Sequence, residues 1–404
     1  MKNPVCHPLF SALAGLALLV GCATAPTAMN PPAKLPGIAA AVQPALDALE
    51  IAGAVTLVIT RDKIVHFETH GFADLATQRP MTADTMFNIM SMTKPMTATA
   101  VLMLVDAGKL NLTDPVAKYL PEFAALKTPS GRAANLTLLQ ILTHVSGLGE
   151  APNDAAREAR TLADLVPLWV AAPMNYEPGA KWRYCQSGIN AAARIVEVVS
   201  GQTFDEFLRT RLFVPLGLKH TTHYPSADQI LLIATPYAKN KTTGALDAVS
   251  APPPARGTRP PTGNAGLYSS AHDYARFCQM LLNGGTLDGK RYLSPAAMKL
   301  LSTSQTPADM PTGFFQNDTF GHYGANYGWG IATCILKTPH PGLAAMLSPG
   351  TYGHGGAWGT QAWIDPVRGV AYVLMVQRTN FPNSDASEVR RAFQQAAADA
   401  LFKK

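Results

Sequence analysis

Ser91-Met92-Thr93-Lys94 sets a hydroxyl and an amine three residues apart. On a helix such residues are neighbours, with Cβ atoms about 5–6 Å apart. Pro95 is tolerated only near a helix start, so the helix should begin close to Ser91. A serine there sits beside unpaired backbone N–H groups and the positive end of the helix dipole. A serine hydroxyl is a poor nucleophile unless a base stands next to it. Lys94 can be that base if burial lowers its pKa toward neutrality. The chemistry this pair could do is acyl transfer through a serine. The G-x-S-x-G route to the same chemistry is excluded, because the nearest matches, around Ser146 and Ser187, lack the first glycine. Cys185 reads as a small half-buried residue rather than a nucleophile, and His144 as a hydrogen-bonded structural histidine rather than a general base.

The elements that must position this pair can be read from periodicity. Ile38 to Leu49 reads as an amphipathic helix, and Ala54–Thr60 with Ile64–Thr69 as a hairpin turning at Arg61-Asp62. Met92 to Ala107 is apolar on nearly every side, which predicts a buried helix ended by Gly108. From there to about residue 222 the signals are mostly helical, as at Asn190–Val199 and Phe204–Leu212. Residues 224–264 carry Pro252-Pro253-Pro254 and Pro260-Pro261 without a sustained period, and a loop of that length is expected to wall a binding site. Short helices follow at Ala271–Leu282 and Pro295–Leu301, then strands at Thr360–Ile364 and Val370–Gln377. An amphipathic helix closes the chain, with Asp385 and Glu388 at its start resembling a capping box. Helix and hairpin at one end and hairpin and helix at the other predict one antiparallel sheet built from both termini, with a mostly helical domain inserted.

Composition narrows the class further. Of 404 residues 47% are hydrophobic and 15% charged, against roughly 25% charged in an average soluble domain. A disordered chain is excluded. The net charge of +6 comes from scattered basic residues, and no basic stripe is interleaved with aromatics, so nucleic acid is not expected as a partner. Cys6, Cys22, Cys185, Cys278 and Cys334 form no C-x-x-C pair and no zinc-ribbon spacing. His66 and His70 lie on an alternating stretch that would set them about 13 Å apart along a strand, too far for one metal. Neither a metal nor a cofactor is expected.

At the N-terminus Lys2 precedes an apolar run from Leu9 to Val20 that is too short to span a bilayer, as in an export signal. The run ends in Leu19-Val20-Gly21-Cys22, which resembles a bacterial lipobox. Residues 1–21 are therefore expected to be a lipoprotein signal peptide, Cys22 the lipidated residue, and 22–35 a flexible tether. Thr24, by resemblance to lipoprotein sorting rules, favours the outer membrane, so the expected location is the cell envelope, facing the periplasm.

Four segments in order resemble the serine β-lactamase-related superfamily. Thr85 to Pro95 looks like its active-site segment, and Leu139 to Leu148 matches its L-L-T-H-T-S-G-L stretch. Tyr176-Glu177-Pro178-Gly179 with Trp182-Arg183-Tyr184-Cys185-Gln186-Ser187 resembles P-G-x-x-W-x-Y-S, and Gly353 to Thr360 resembles the third motif. Class C β-lactamases, D-alanyl-D-alanine carboxypeptidases and family VIII carboxylesterases share this pattern. It implies a two-domain α/β fold over residues 36–402, the α/β part at about 36–90 and 325–402 and the helical part at about 91–324. It also implies Ser91 as nucleophile, Lys94 as base or proton shuttle, Tyr184 as second proton-transfer group, and the backbone amides of Ser91 and Ala357 as oxyanion hole. Gln186, His354, Gly355 and Gly356 would bind substrate.

Two departures steer the substrate expectation. Class C β-lactamases carry Lys-Thr-Gly where this chain has His354-Gly355-Gly356, and Tyr-x-Asn where it has Tyr184-Cys185-Gln186. A histidine is mostly uncharged at neutral pH and offers a substrate carboxylate no fixed cation. The expected function is hydrolysis of short-chain esters, His354 gaining its proton toward pH 6. A class C-like β-lactamase or D-alanyl-D-alanine carboxypeptidase is the alternative, with Arg256 or Arg259 supplying a cation. A catalytically silent binding module would have lost Ser91, Lys94 or Tyr184, and all three are present.

Overall fold

The computed structural model describes Met1 and residues 34–312, 323–339, 346–381 and 387–403. Residues 2–33, which hold nearly all of the expected signal peptide and tether with Cys6 and Cys22, lie outside the described residues, as does Asp385. An antiparallel sheet is built from β1 (Gly53–Thr60), β2 (Ile64–Asp74), β3 (Arg79–Pro80), β4 (Tyr327–Trp329), β5 (Cys334–Leu336), β6 (Tyr352–Gly355), β7 (Gln361–Asp365) and β8 (Val370–Met375). Its strand order is β4-β5-β6-β7-β8-β1-β2-β3, so the first and last thirds of the chain meet where β1 pairs with β8. The described residues from 34 to 403 belong to one compact unit.

Parity along the strands explains how both faces are covered. In β1, Ala54 and Val58 join one apolar cluster, and Val55, Leu57 and Ile59 the other. In β8, Val370, Tyr372 and Leu374 divide from Ala371, Val373 and Met375 in the same way. Successive strand side chains point to opposite faces, so a sheet packed on both sides reads as a continuous apolar run. Helices α1 (Ile38–Asp47) and α5 (Glu388–Phe402) pack on each other and cover the first face through Ile38, Val42, Val389 and Phe393. Helix α5 starts at the N-cap Ser387, whose side chain accepts from Arg390 N. The other face is covered by α4 (Ala271–Leu282) and by α2 (Thr93–Asp106), in which every residue from Thr93 to Leu104 is buried.

His66 and His70 correct the spacing argument made from sequence. Side chains two and four residues apart share a strand face, and both Nε2 atoms converge to 2.9 Å from the hydroxyl of Thr56 on the neighbouring strand. Leu35 N donates to His66 Nδ1, so the His66 proton sits on Nε2 and is given to Thr56. No group of three or more His, Cys, Asp or Glu suited to a metal occurs among the described residues. No helix among them is long and apolar enough to cross a membrane.

Candidate active site

The turn ahead of Ser91 is held in a strained shape. Met90 has φ +47°, a conformation that costs a non-glycine residue of order 1 kcal/mol and persists only where neighbours over-determine it. Asn88 Oδ1 accepts from Met90 N, and the side chain of Gln377 bonds both the N–H and the C=O of Asn88. Ile89 N donates to the backbone oxygen of Leu267 at 2.9 Å. Ser91 then sits in a single 3₁₀ turn, Met90–Met92, that runs into α2, with Pro95 as the third residue of that helix. The helix start expected from Pro95 is where the structure has it.

Lys94 points back to the serine and is fully buried. Its Nζ lies 3.1 Å from Ser91 Oγ, 2.9 Å from Gln186 Oε1 and 2.9 Å from the backbone oxygen of Asn264. Two of these three partners can only accept, whereas the hydroxyl can donate as well. Here Nζ donates to all three; loss of one proton would leave two hydrogens for the carbonyl oxygens and a lone pair facing the Ser91 O–H. Asn264 Nδ2 also donates to Gln186 Oε1, so Gln186 provides here the amide link that the Tyr-x-Asn pattern assigns to asparagine. Asn264 was not singled out by sequence, because it acts on Lys94 through a backbone oxygen. The segment that carries it passes between two helices: a Cβ on Gly263 would stand 2.7 Å from Ala193 Cβ and 3.0 Å from Thr97 Cγ2. Only glycine permits that approach.

Tyr184 lies with its ring under the amine, Lys94 Nζ being 4.5 Å from the ring centroid. Its hydroxyl is 3.3 Å from His354 Nε2. His354 Nδ1 is 2.6 Å from Gly355 O, an atom that can only accept, so Nδ1 carries the proton and Nε2 accepts from the tyrosine. His354 is 1% exposed, and burial, with the Lys94 charge adding, pushes its pKa down to about 3. Two expectations are corrected by this. His354 stands behind Tyr184 rather than against substrate, and it gains no proton near pH 6. Gly355 and Gly356 are also buried; a Cβ on Gly356 would meet Thr360 Oγ1 at 2.2 Å and Ile89 O at 2.5 Å. Ala357, the next residue, is exposed. Cys185 is buried with its thiol pushed up to about 12 by burial, and its Sγ faces Leu148 O at 3.6 Å, which suits packing and not nucleophilic attack. Cys185 and Cys278 are buried free thiols.

A cavity of about 820 Å³ meets this cluster at Met90, Gln186 and Asn264. As the Pro-rich stretch suggested, Pro252, Pro254, Arg259, Pro260 and Thr262 form one wall. Leu165, Trp169, Tyr268 and Trp358 make much of the rest apolar.

Acid should unfold this core early. Burial holds His144 well below its ordinary pKa, His223 down to about 4 and His354 to about 3, whereas each titrates near 6.5 in an unfolded chain. Between pH 6.5 and 4 the unfolded chain therefore takes up three protons that the folded one refuses, and stability falls as pH falls. Each contributes at most about 1.4 kcal/mol per pH unit. Urea unfolding should show a flat midpoint from pH 7 to 8 and a steep decline from 6 to 4. A midpoint constant down to pH 4 would contradict these buried neutral imidazoles.

Comparison with known proteins agrees with this architecture. The family model described as Beta-lactamase matches residues 38–397. Protein Rv1367c of Mycobacterium tuberculosis is 31% identical over 379 residues, covering 88% of this chain and 92% of that one. Penicillin-binding protein 4 of Amycolatopsis lactamdurans is 33% identical over 318 residues, covering 77% and 76%. Among solved structures, EstCE1, titled a hydrolase with promiscuous acyltransferase activity, superposes with a TM-score of 0.74 at 21% identity, over 88% of this chain and 97% of that one. With the fold, the antiparallel sheet and the family match over most of its length in agreement, the chain belongs to the beta-lactamase family of serine hydrolases.

Proposed function

We propose that this protein hydrolyses carboxylic esters through an acyl-enzyme on Ser91, with Lys94 and Tyr184 as proton-transfer groups. The observation that carries the reading is the Lys94 amine 3.1 Å from the Ser91 hydroxyl, with its bonds to Gln186 Oε1 and Asn264 O made to pure acceptors. Neutral Lys94 takes the Ser91 proton as Oγ attacks the ester carbonyl. The amides of Ser91 and Ala357 then face the developing oxyanion, a contribution of a few kcal/mol per donor. The proton returns to the leaving alcohol by way of Tyr184, and water repeats the sequence in reverse to release the acid. His354, held neutral, keeps the Tyr184 hydroxyl oriented by accepting its hydrogen bond.

The same neutrality favours esters over β-lactams. A β-lactam carries its carboxylate close to the reacting carbonyl, and a desolvated anion without a partner is unfavourable there. The test compares kcat/KM for p-nitrophenyl butyrate, nitrocefin and a D-Ala-D-Ala peptide. We expect the ester to lead by about 100-fold or more, an imbalance worth nearly 3 kcal/mol. A nitrocefin or peptide rate equal to the ester rate would move the β-lactamase or carboxypeptidase reading to first place.

We also propose export and lipidation at Cys22, which would place the enzyme at the cell envelope. The apolar run from Leu9 to Val20 and the Leu19-Val20-Gly21-Cys22 sequence support this. Globomycin should make the precursor accumulate, and Cys22→Ser should release the protein from membranes. A mature chain starting elsewhere without lipid in its mass would overturn it.

A further inference from the structure

A butyryl group fills only a small part of a cavity of about 820 Å³, which is of the size that holds a drug-sized ligand. The charges on its walls say what the rest is for. Arg157 and Arg259 both line it, and Glu150 is the carboxylate residue among the described lining. Glu150 is already engaged: its oxygens accept from Gln186 N, Ser187 N and Ser187 Oγ at the start of α3 (Gln186–Ser200), where the helix dipole compensates its charge. Arg259 has no side-chain hydrogen bond or ion pair among the described residues. Arg157 has only Asp154, at 3.7 Å and with both side chains strongly exposed, a pair of small worth. Arg160 donates to Thr258 O at 2.7 Å, which ties the segment bearing Arg157 to the loop bearing Arg259. Arg256, the other cation of that loop, is occupied by Asp205 and stacks over Tyr224.

From this we propose a remote anion subsite at Arg259 and Arg157, so that the preferred acyl groups are long and end in a carboxylate. The proposal rests on the ester-hydrolase reading and specifies its substrate. Arg259 lies five positions before Asn264, whose backbone oxygen bonds Lys94, so their α-carbons are at most about 18 Å apart. That bound keeps the subsite within reach of the far end of a long acyl chain, which is where we place the substrate carboxylate. A β-lactam holds its carboxylate beside the scissile carbonyl instead.

The test uses mono-p-nitrophenyl esters of dicarboxylic acids, from succinate to sebacate, each paired with its own ω-methyl ester. The readout is the ratio of kcat/KM for acid over methyl ester within each enzyme, which cancels any general loss of activity. In the unmodified enzyme the ratio should rise with chain length to about 10, and Arg259→Ala with Arg157→Ala should bring it to about 1. Arg259→Lys should retain part of it. Ser91-dependent turnover with a ratio near 1 at every length overturns the subsite and leaves the hydrolase reading intact. Absence of Ser91-dependent turnover of either ester overturns both.

An independent set of contacts concerns His144, and we infer that it is a positioning residue for Tyr184. Its backbone oxygen accepts from Arg183 N at 2.9 Å and its Nδ1 from Cys185 N at 3.0 Å, so its bonds straddle Tyr184. Its ring packs on that of Tyr184 with centroids 4.6 Å apart. His144 adopts φ +62°, which asparagine tolerates better than most residues. His144→Asn therefore keeps both the backbone shape and an acceptor in place of Nδ1, whereas His144→Ala loses the acceptor. Alkyl esters need their leaving group protonated and p-nitrophenolate does not. The alanine variant should lose about 100-fold in kcat on ethyl butyrate and about 10-fold or less on p-nitrophenyl butyrate, with Asn restoring most of both. Equal losses on the two esters, or an Asn variant no better than Ala, would overturn the role.

Discussion

Ser91→Ala is expected to lower kcat/KM for p-nitrophenyl butyrate by about 10⁴-fold or more, the scale on which serine hydrolases lose rate without their nucleophile. The change removes the atom that would hold the acyl group and leaves the oxyanion donors, so only slow direct attack by water remains. Folding should not suffer. Ser91 is half-buried, and its Oγ bonds Lys94, which keeps the oxygens of Gln186 and Asn264. The measurement is steady-state kinetics beside a thermal melt. A variant with normal Tm and more than a tenth of the activity would show that another group carries the acyl chain.

Lys94→Met is the second large effect, a loss of about 10³-fold, in the middle of what positioned proton transfer contributes. Methionine keeps the length and apolar volume of the lysine stem in a fully buried site and removes the amine. Gln186 Oε1 would still accept from Asn264 Nδ2, so one of the two stranded oxygens keeps a donor. The Tm should shift by a few degrees at most, while the rate of reaction with a fluorophosphonate falls in parallel with kcat/KM. Unchanged labelling would mean that Ser91 needs no base from this side.

The parts of the site visible in sequence are those whose signal is local. Ser91 and Lys94 show themselves by their spacing, and Pro95 marks where their helix begins. The sheet from both termini follows from hairpins and amphipathic helices at each end of the chain. Tyr184 is far from the pair in sequence and was reached through the motif that surrounds it. Asn264 left no trace, since a backbone oxygen has no residue signature and its approach depends on Gly263. His354 was placed at the right motif but at the wrong depth, because residue type does not tell which side of Tyr184 a side chain occupies. For His66 and His70 the distance along the strand was right in kind, but it ignored that both rings lean to one hydroxyl.

The acyl group is expected on Ser91 and on no other residue. The unmodified enzyme, reacted with a fluorophosphonate and digested, should carry one adduct, on the peptide containing Ser91, and Ser91→Ala should carry none. An adduct on another serine, or full labelling of the Ser91→Ala protein, would contradict it.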